Sequence, residues 1–169
     1  FGGTQAVFTP NPIAAGIPTS GTPFLVDISA SITTNGMSNR LHKAGKDVTM
    51  VSWGIGMTYA VKAVDELTKE GIDVELIDLR TIRPMDLPAI IESVKKTGRL
   101  VTVEEGYPQS SVGTEIATRV MQQAFDYLDA PILTIAGKDV PMPYAANLET
   151  LALPQVADIV EAAKSVCYR

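Results

Sequence analysis

The sequence predicts an α/β domain in which a mainly parallel sheet carries helices on both faces, preceded by a Gly/Pro-rich N-terminal segment with short strands. From residue 46 onward, strand-like and helix-like stretches alternate four times. Each strand–helix unit spans about 26 to 32 residues, as do right-handed βαβ crossovers between parallel strands. Residues 1–45 differ from the rest because they are rich in Gly, Pro, Ser and Thr and contain no Glu.

The N-terminal segment, residues 1–45, is predicted to form short strands joined by turns. Its apolar pieces at 6–8 and 24–28 are brief and are separated by Pro and Gly residues. Strands this short bury little surface without further partners. We therefore divide the chain into an N-terminal segment, 1–45, and a globular domain, 46–169.

The first strand–helix unit of the domain covers residues 47–70. Residues 47–53 have the apolar and β-branched content of a buried strand. The helix over 57–70 is predicted from an apolar stripe at helical spacing, formed by Met57, Ala60, Val61, Val64 and Leu67. Gly71 is in the position of a C-terminal cap.

The second unit joins a strand at 74–79 to a helix that begins after Asp86. Asp86 is predicted to be its N-cap, Pro88 stands in the first turn, and Gly98 closes the helix. Residues 100–103, Leu-Val-Thr-Val, then give the third strand.

The third helix begins near Thr114, and residues 131–136 give the fourth strand. The predicted inner face of this helix is Ile116, Ala117, Val120, Met121, Ala124, Phe125 and Leu128. A last helix is predicted from about Pro154. The connection before it, 140–147, is Pro-rich and contains Tyr144, for which packing and a subunit interface remain equal alternatives.

Composition excludes several classes of function. There are 14 Lys and Arg against 19 Asp and Glu, a formal net charge of −5, so the chain lacks the basic footprint of a nucleic-acid-binding protein. The single cysteine, Cys167, excludes an internal disulfide framework and a Cys-based zinc site, and we expect an inert thiol in a reducing compartment. No apolar run reaches the roughly 18 residues that a transmembrane helix needs, so no membrane contact is expected. The start at Phe1 is interpreted as a fragment edge rather than a signal peptide.

Candidate site residues lie where the parallel strands end, because open sheets bind ligands at that edge. Gly54 and Gly56 can present amides to an anion, but a tight strand-to-helix turn is the favoured interpretation because Tyr59 breaks the GxGxxG pattern. Glu104 and Glu105 are adjacent and point to opposite faces of a strand, which favours capping, ion pairing or an interface over paired acid–base catalysis. Residue chemistry alone shows no nucleophile, base or metal cluster.

Four long motifs stand in order along the domain: IDVELIDLRTIRPMD at 72–86, GRLVTVEEGYPQSSVGTEIA at 98–117, YLDAPI at 127–132 and AGKDVPMPYAANLE at 136–149. With them, residues from about 46 to 169 resemble the C-terminal domain of pyruvate dehydrogenase beta subunits, in the transketolase-like family. The resemblance implies a parent reaction that decarboxylates pyruvate and transfers the acetyl group to a lipoyl group. It also implies thiamine diphosphate and magnesium as cofactors of the parent enzyme.

The resemblance implies an assembly and docking role for this domain. In the family, the glutamate that activates the cofactor lies in a preceding domain, so this chain alone is expected neither to bind thiamine diphosphate nor to be active. The implied partners are the pyruvate dehydrogenase alpha subunit, the peripheral-subunit-binding domain of the dihydrolipoyl acyltransferase and a second copy. The family's docking carboxylates correspond to Asp129 and to the terminal carboxylate of Arg169. Bacterial cytoplasm and mitochondrial matrix both fit this role.

Residues 1–45 instead resemble a fragment of the malate/L-lactate dehydrogenase family that is not of Rossmann type. In that family the Asn-Pro turn and the Asp-containing strand lie near the nicotinamide cofactor, and Asn11, Pro12 and Asp27 correspond to them. The rest of that family's site has no counterpart here. The alternatives to the docking domain are therefore an NAD(P)-dependent dehydrogenase fragment and a recombined chimera without an evolved function.

Overall fold

The computed structural model describes residues 45–169, together with the backbone of three earlier strands. The strands in this part of the chain are β1 (Asn11–Ile17), β2 (Phe24–Ala30), β3 (Ser38–Arg40), β4 (Val48–Ser52), β5 (Val74–Leu79), β6 (Leu100–Val103) and β7 (Leu133–Ile135). The helices are α1 (Gly56–Lys69), α2 (Leu87–Thr97), α3 (Val112–Ala124), α4 (Ala146–Ala152) and α5 (Val156–Val166), with a 3-10 turn at Phe125–Tyr127.

Five strands form the main sheet in the order β3-β5-β4-β6-β7. The four strands from β4 to β7 run parallel, whereas β3 pairs antiparallel with β5 at one edge. β1 and β2 form a separate antiparallel pair, and β2 includes the strand predicted at 24–28. The piece predicted at 6–8 lies outside the described residues. Because β3 precedes residue 45 and joins the main sheet, the sheet extends beyond the predicted domain.

Helices cover both faces of the parallel strands, as predicted. α1 and α5 pack on one face, around a buried cluster that includes Met50, Leu67 and Ile159. α2 and α3 pack on the other face, around Ile77 and Ile116. Every residue of β4, β5 and β6 is buried, which explains their nearly continuous apolar sequences.

The predicted inner faces of two helices are wrong in part. In α3, Met121 is 47% exposed and Phe125, which follows the helix, is 61% exposed. The buried residues Ile116, Val120 and Ala124 lie four apart, so the face turned to the sheet is a single narrow stripe. Val61 of α1 is likewise 39% exposed.

Helix ends follow the predicted chemistry more closely. Asp86 Oδ1 accepts a hydrogen bond from the Ala89 amide at 3.2 Å, so Asp86 caps α2 as predicted. Gly98 ends the same helix with φ of 70°, a left-handed conformation that a residue with a side chain rarely adopts. Ser111, whose hydroxyl accepts from the Thr114 amide at 3.1 Å, caps α3.

One helix was not predicted from the sequence. α4 lies between β7 and the last helix and overlaps the end of the Pro-rich connection predicted at 140–147. Its N-cap, Ala145, makes no side-chain capping bond, and Pro141 and Pro143 precede it. The usual sequence signals of a helix start are therefore missing.

Candidate functional site

The predicted docking residue Asp129 lies on the surface between α3 and β7. Its backbone amide donates to the Gly98 carbonyl at 2.8 Å, which fixes the turn that carries it. Its side chain is 62% exposed, and its Oδ2 lies 3.8 Å from Arg99 Nη2. An ion pair at this distance and exposure is weak, so the carboxylate stays accessible to another cation.

The C-terminal residues fold back toward Asp129. The Tyr168 hydroxyl donates to the Asp129 carbonyl at 2.8 Å, across 39 positions of sequence. Arg169 follows it and is held by its amide, which donates to the Lys164 carbonyl at 3.0 Å, and by Nη1, which donates to the Gly71 carbonyl at 3.1 Å. The structure thus brings Asp129 and the neighbourhood of Arg169 to one surface.

Arg99 and Cys167 lie beneath this surface. Arg99 Nη1 donates to the Asp47 carbonyl at 3.2 Å, and Cys167 Sγ lies 3.9 Å from the same oxygen. Burial raises the pKa of the Cys167 thiol above its ordinary value, although Arg99 acts in the opposite direction. A partly buried thiol with a raised pKa is a poor nucleophile.

Glu104 and Glu105 point in different directions at the end of β6. Glu104 is 5% exposed, and its Oε1 accepts from the Gly113 amide at 2.9 Å, so it holds the first turn of α3. Glu105 Oε1 accepts from the Tyr59 hydroxyl at 3.0 Å. Burial, and then this bond to Glu105, raises the pKa of Tyr59. The structure therefore gives Glu104 an internal capping contact, while the interface role of both glutamates stays a prediction.

Tyr144 lies in a segment that exposes much apolar surface. Its side chain is fully exposed, and four other large apolar residues within 140–151 are at least 43% exposed: Val140, Met142, Leu148 and Leu151. We call these five residues the 140–151 apolar segment. Several large apolar side chains exposed within one short segment favour a protein–protein contact there.

The other polar groups near the strand ends bond to neighbouring residues, and the side chains of the predicted cofactor residues are not described. The amides of Gly56, Met57 and Thr58 bond to carbonyls of the preceding turn, in agreement with the tight turn favoured over an anion site at Gly54–Gly56. Arg80 forms an ion pair with Asp78. The predicted cofactor residues lie in strands described by their backbone alone, Asn11 and Pro12 in β1 and Asp27 in β2. Within the described part of the chain, no helix is long and apolar enough to cross a membrane.

Comparison with known proteins identifies the domain. Residues 36–159 match the family model described as transketolase, C-terminal domain. The chain is 82% identical over 130 residues to the pyruvate dehydrogenase E1 component subunit beta of Rhizobium meliloti (strain 1021), covering 77% of this chain and 28% of that protein. It is 56% identical over 130 residues to the mitochondrial E1 subunit beta-1 of Arabidopsis thaliana, covering 77% and 36%.

Solved structures show the same fold. A split-gene transketolase in an inactive beta4 tetramer superposes with a TM-score of 0.66 at 29% identity, over 78% of this chain and 41% of that chain. A 2-oxoglutarate:ferredoxin oxidoreductase from Magnetococcus marinus gives 0.54 at 18% identity, over 77% and 19%, which shows the fold alone.

The relatives also bear on the N-terminal segment. The chain spans about a third of the length of the curated relatives it matches, between 28% and 40%. They give no support to the predicted resemblance of residues 1–45 to malate/L-lactate dehydrogenases, or to a chimera. The match begins at residue 36 and ends at residue 159, in the first turn of α5, and on this ground the chain belongs to the family of transketolase C-terminal domains.

Proposed function

We propose that this chain serves as the assembly and docking part of a pyruvate dehydrogenase E1 beta subunit. The observation that carries the proposal is the convergence of Asp129 and the C-terminal residues on one surface. The parent complex would decarboxylate pyruvate and transfer the acetyl group to a lipoyl group, in bacterial cytoplasm or mitochondrial matrix. The alpha subunit is its proposed partner in that complex.

We propose that the parent cofactors, thiamine diphosphate and magnesium, are bound by parts of the parent enzyme other than the described residues. Within 45–169, no three His, Cys, Asp or Glu side chains lie close enough together to hold a metal ion. The first amides of α1 are bonded within their own turn and are not free for a diphosphate. We therefore assign no step of the decarboxylation to this part of the chain.

Docking to the peripheral-subunit-binding domain of the acyltransferase is proposed to use the Asp129 carboxylate. Carboxylates form their strongest hydrogen bonds with Arg and Lys, and exposed charges increase the rate of association with an oppositely charged partner. The backbone bonds on either side of Asp129 hold the carboxylate on the surface, which reduces the ordering that binding would require. Arg169, whose amide and guanidinium bond to the Lys164 and Gly71 carbonyls, is proposed to lie at the same docking surface.

We expect Asp129→Ala to weaken binding of the acyltransferase's peripheral-subunit-binding domain about tenfold, since a hydrogen bond to a charged group contributes roughly 1.5–3 kcal/mol. Isothermal calorimetry at low and moderate salt measures this loss. The two hydrogen bonds that fix this turn use the Asp129 backbone, so alanine keeps them. Asp126→Ala, three residues away, is the matched control and should bind as the wild type does. Equal affinities of the two variants would contradict the proposed docking site.

A contact with a second copy is proposed for the 140–151 apolar segment, because its exposed side chains are costly to leave in water. Tyr144→Ser is expected to raise the dissociation constant of this dimer about tenfold. Burial of a large apolar side chain stabilises a contact by roughly 1.5–3 kcal/mol, and serine would lose most of that contribution. Sedimentation equilibrium checks this, with exposed Tyr107→Ser, outside the segment, as the control. A monomeric wild-type chain at all concentrations would overturn the dimer.

A further inference from the structure

A groove of about 570 Å³ lies between β7 and α5, and Asp129 is not among the residues that line it. Its floor includes Leu133 and Ile135 of β7, which pack toward the same buried cluster as α5. Three acidic residues line it, Asp139 after the strand and Asp158 and Glu161 on α5. The groove therefore combines an apolar floor with an acidic border.

β7 is the last strand of the main sheet, and within the described residues no strand pairs with its outer edge. The Ile135 carbonyl accepts from the Glu104 amide at 2.9 Å, so the backbone groups of Ile135 face β6. Because these groups alternate in direction along a parallel strand, the N–H and C=O of Thr134 point to the outer edge. An open strand edge is a template for pairing with another extended chain.

The charges at the groove select the chemistry of the partner. The three carboxylates of Asp139, Asp158 and Glu161 form no salt bridge within the described residues, and the single cation that lines the groove is Lys138. A segment bearing Lys or Arg complements this border. A twofold pairing of β7 with a second copy is disfavoured because it would bring the two sets of carboxylates together.

We propose that β7 and this groove bind an extended, Lys- or Arg-rich segment of a partner protein, which adds a sixth strand to the sheet. The segment's backbone would pair with Thr134, its apolar side chains would contact the floor, and its cations would face the acidic border. This inference uses none of the residues proposed for acyltransferase docking, so either surface can fail without the other.

The test uses the full chain and four synthetic octapeptides. Acetyl-(Lys-Val)4-amide is expected to shift backbone amide resonances within 133–139 and 158–165 in NMR spectra of the isotope-labelled chain. Acetyl-(Glu-Val)4-amide should bind at least tenfold more weakly. Two (Lys-Val)4 peptides are N-methylated at alternate residues, one in each register, and the register that lacks the N–H groups facing β7 should also lose binding. Equal binding of the Glu peptide, full binding of both N-methylated peptides, or shifts confined to other residues would overturn the proposal.

Variants of the chain test the two halves of the site. Asp158→Asn/Glu161→Gln is expected to weaken binding of the Lys peptide at least fivefold, whereas Asp65→Asn/Asp126→Asn, with the same net charge, should not. Thr134→Pro removes the outward N–H without touching the ladder to β6, a position where edge strands tolerate proline. It should abolish binding while circular dichroism stays native. If it unfolds, the N-methylated peptides decide the point. If the wild-type chain self-associates and Thr134→Pro abolishes that association, the edge of β7 binds a second copy and the proposed peptide partner is refuted.

Discussion

Gly113→Ala is expected to lower the free energy of unfolding by about 3 kcal/mol, at the upper end of the cost of overpacking a filled core. A Cβ at position 113 would lie 2.6 Å from Glu104 Oε1, 2.6 Å from Thr102 Oγ1 and 2.7 Å from Thr134 Cγ2. No real Cβ approaches atoms so closely, and Glu104 would have to leave the Gly113 amide that it caps. Helix propensity alone would predict the opposite change in the free energy of unfolding, because alanine is a better helix former than glycine by roughly 1 kcal/mol.

Gly106→Ala is the matched control for this substitution. Its Cβ would meet only Glu104 Oε2, at 3.5 Å, which is an ordinary van der Waals contact. We expect its unfolding free energy to stay within about 0.5 kcal/mol of the wild type, as at most surface positions. Urea denaturation followed by circular dichroism compares the three proteins. A Gly113→Ala chain as stable as the Gly106→Ala chain would show that α3 shifts to make room.

The layered fold could be predicted from local sequence patterns. The strands β4, β5 and β6 are buried on both faces, so each is a run of mainly apolar residues. Asp86 and Gly98 mark the ends of α2 through contacts within one turn of the chain. Such signals depend on neighbours in sequence, which is why they can be recognised without a structure.

The surface that we propose for docking could not be predicted in this way. Tyr168 bonds to Asp129 across 39 residues, and Arg169 bonds to Gly71 across 98. The family resemblance indicated Asp129 and Arg169, but no pattern in the sequence indicated that Tyr168 joins their two segments. The exposure of Met121 and Phe125 was missed for a similar reason, because apolar type alone does not tell how wide a helix face the sheet can cover.

Charge placement explains how one domain can present two distinct surfaces. Asp129 is exposed beside Arg99, whereas the acidic residues that border the groove are Asp139, which follows β7, and Asp158 and Glu161 on α5. In both proposals a carboxylate meets a cation of the partner, but only the groove offers a strand edge, which would favour extended chains. The two proposed partners would therefore not compete for the same residues.

Lys96→Met is expected to destabilise the domain by about 3 kcal/mol, the lower end of the cost of breaking a buried ion pair. Lys96 forms an ion pair with Glu75 of β5. The Glu75 side chain is 1% exposed, whereas the Lys96 side chain is 39% exposed. Methionine keeps most of the apolar stem of lysine and removes the charge. The loss would therefore arise from Glu75, which keeps a buried carboxylate without its ammonium partner, rather than from lost packing.

Lys95→Met separates this effect from the general loss of a cation on α2. Lys95 is the neighbouring residue, and its Nζ lies 5.1 Å from the centre of the Tyr127 ring. A cation–π contact at an exposed site contributes about 0.5–1 kcal/mol, so this variant should lose that much at most.

The double variant Glu75→Met/Lys96→Met removes both charges and should recover most of the loss, since an apolar pair of similar size often replaces a buried ion pair without cost. Equal urea midpoints for Lys95→Met and Lys96→Met would mean that the Lys96 ammonium does not stabilise Glu75. A double variant as unstable as Lys96→Met would instead place the cost in packing.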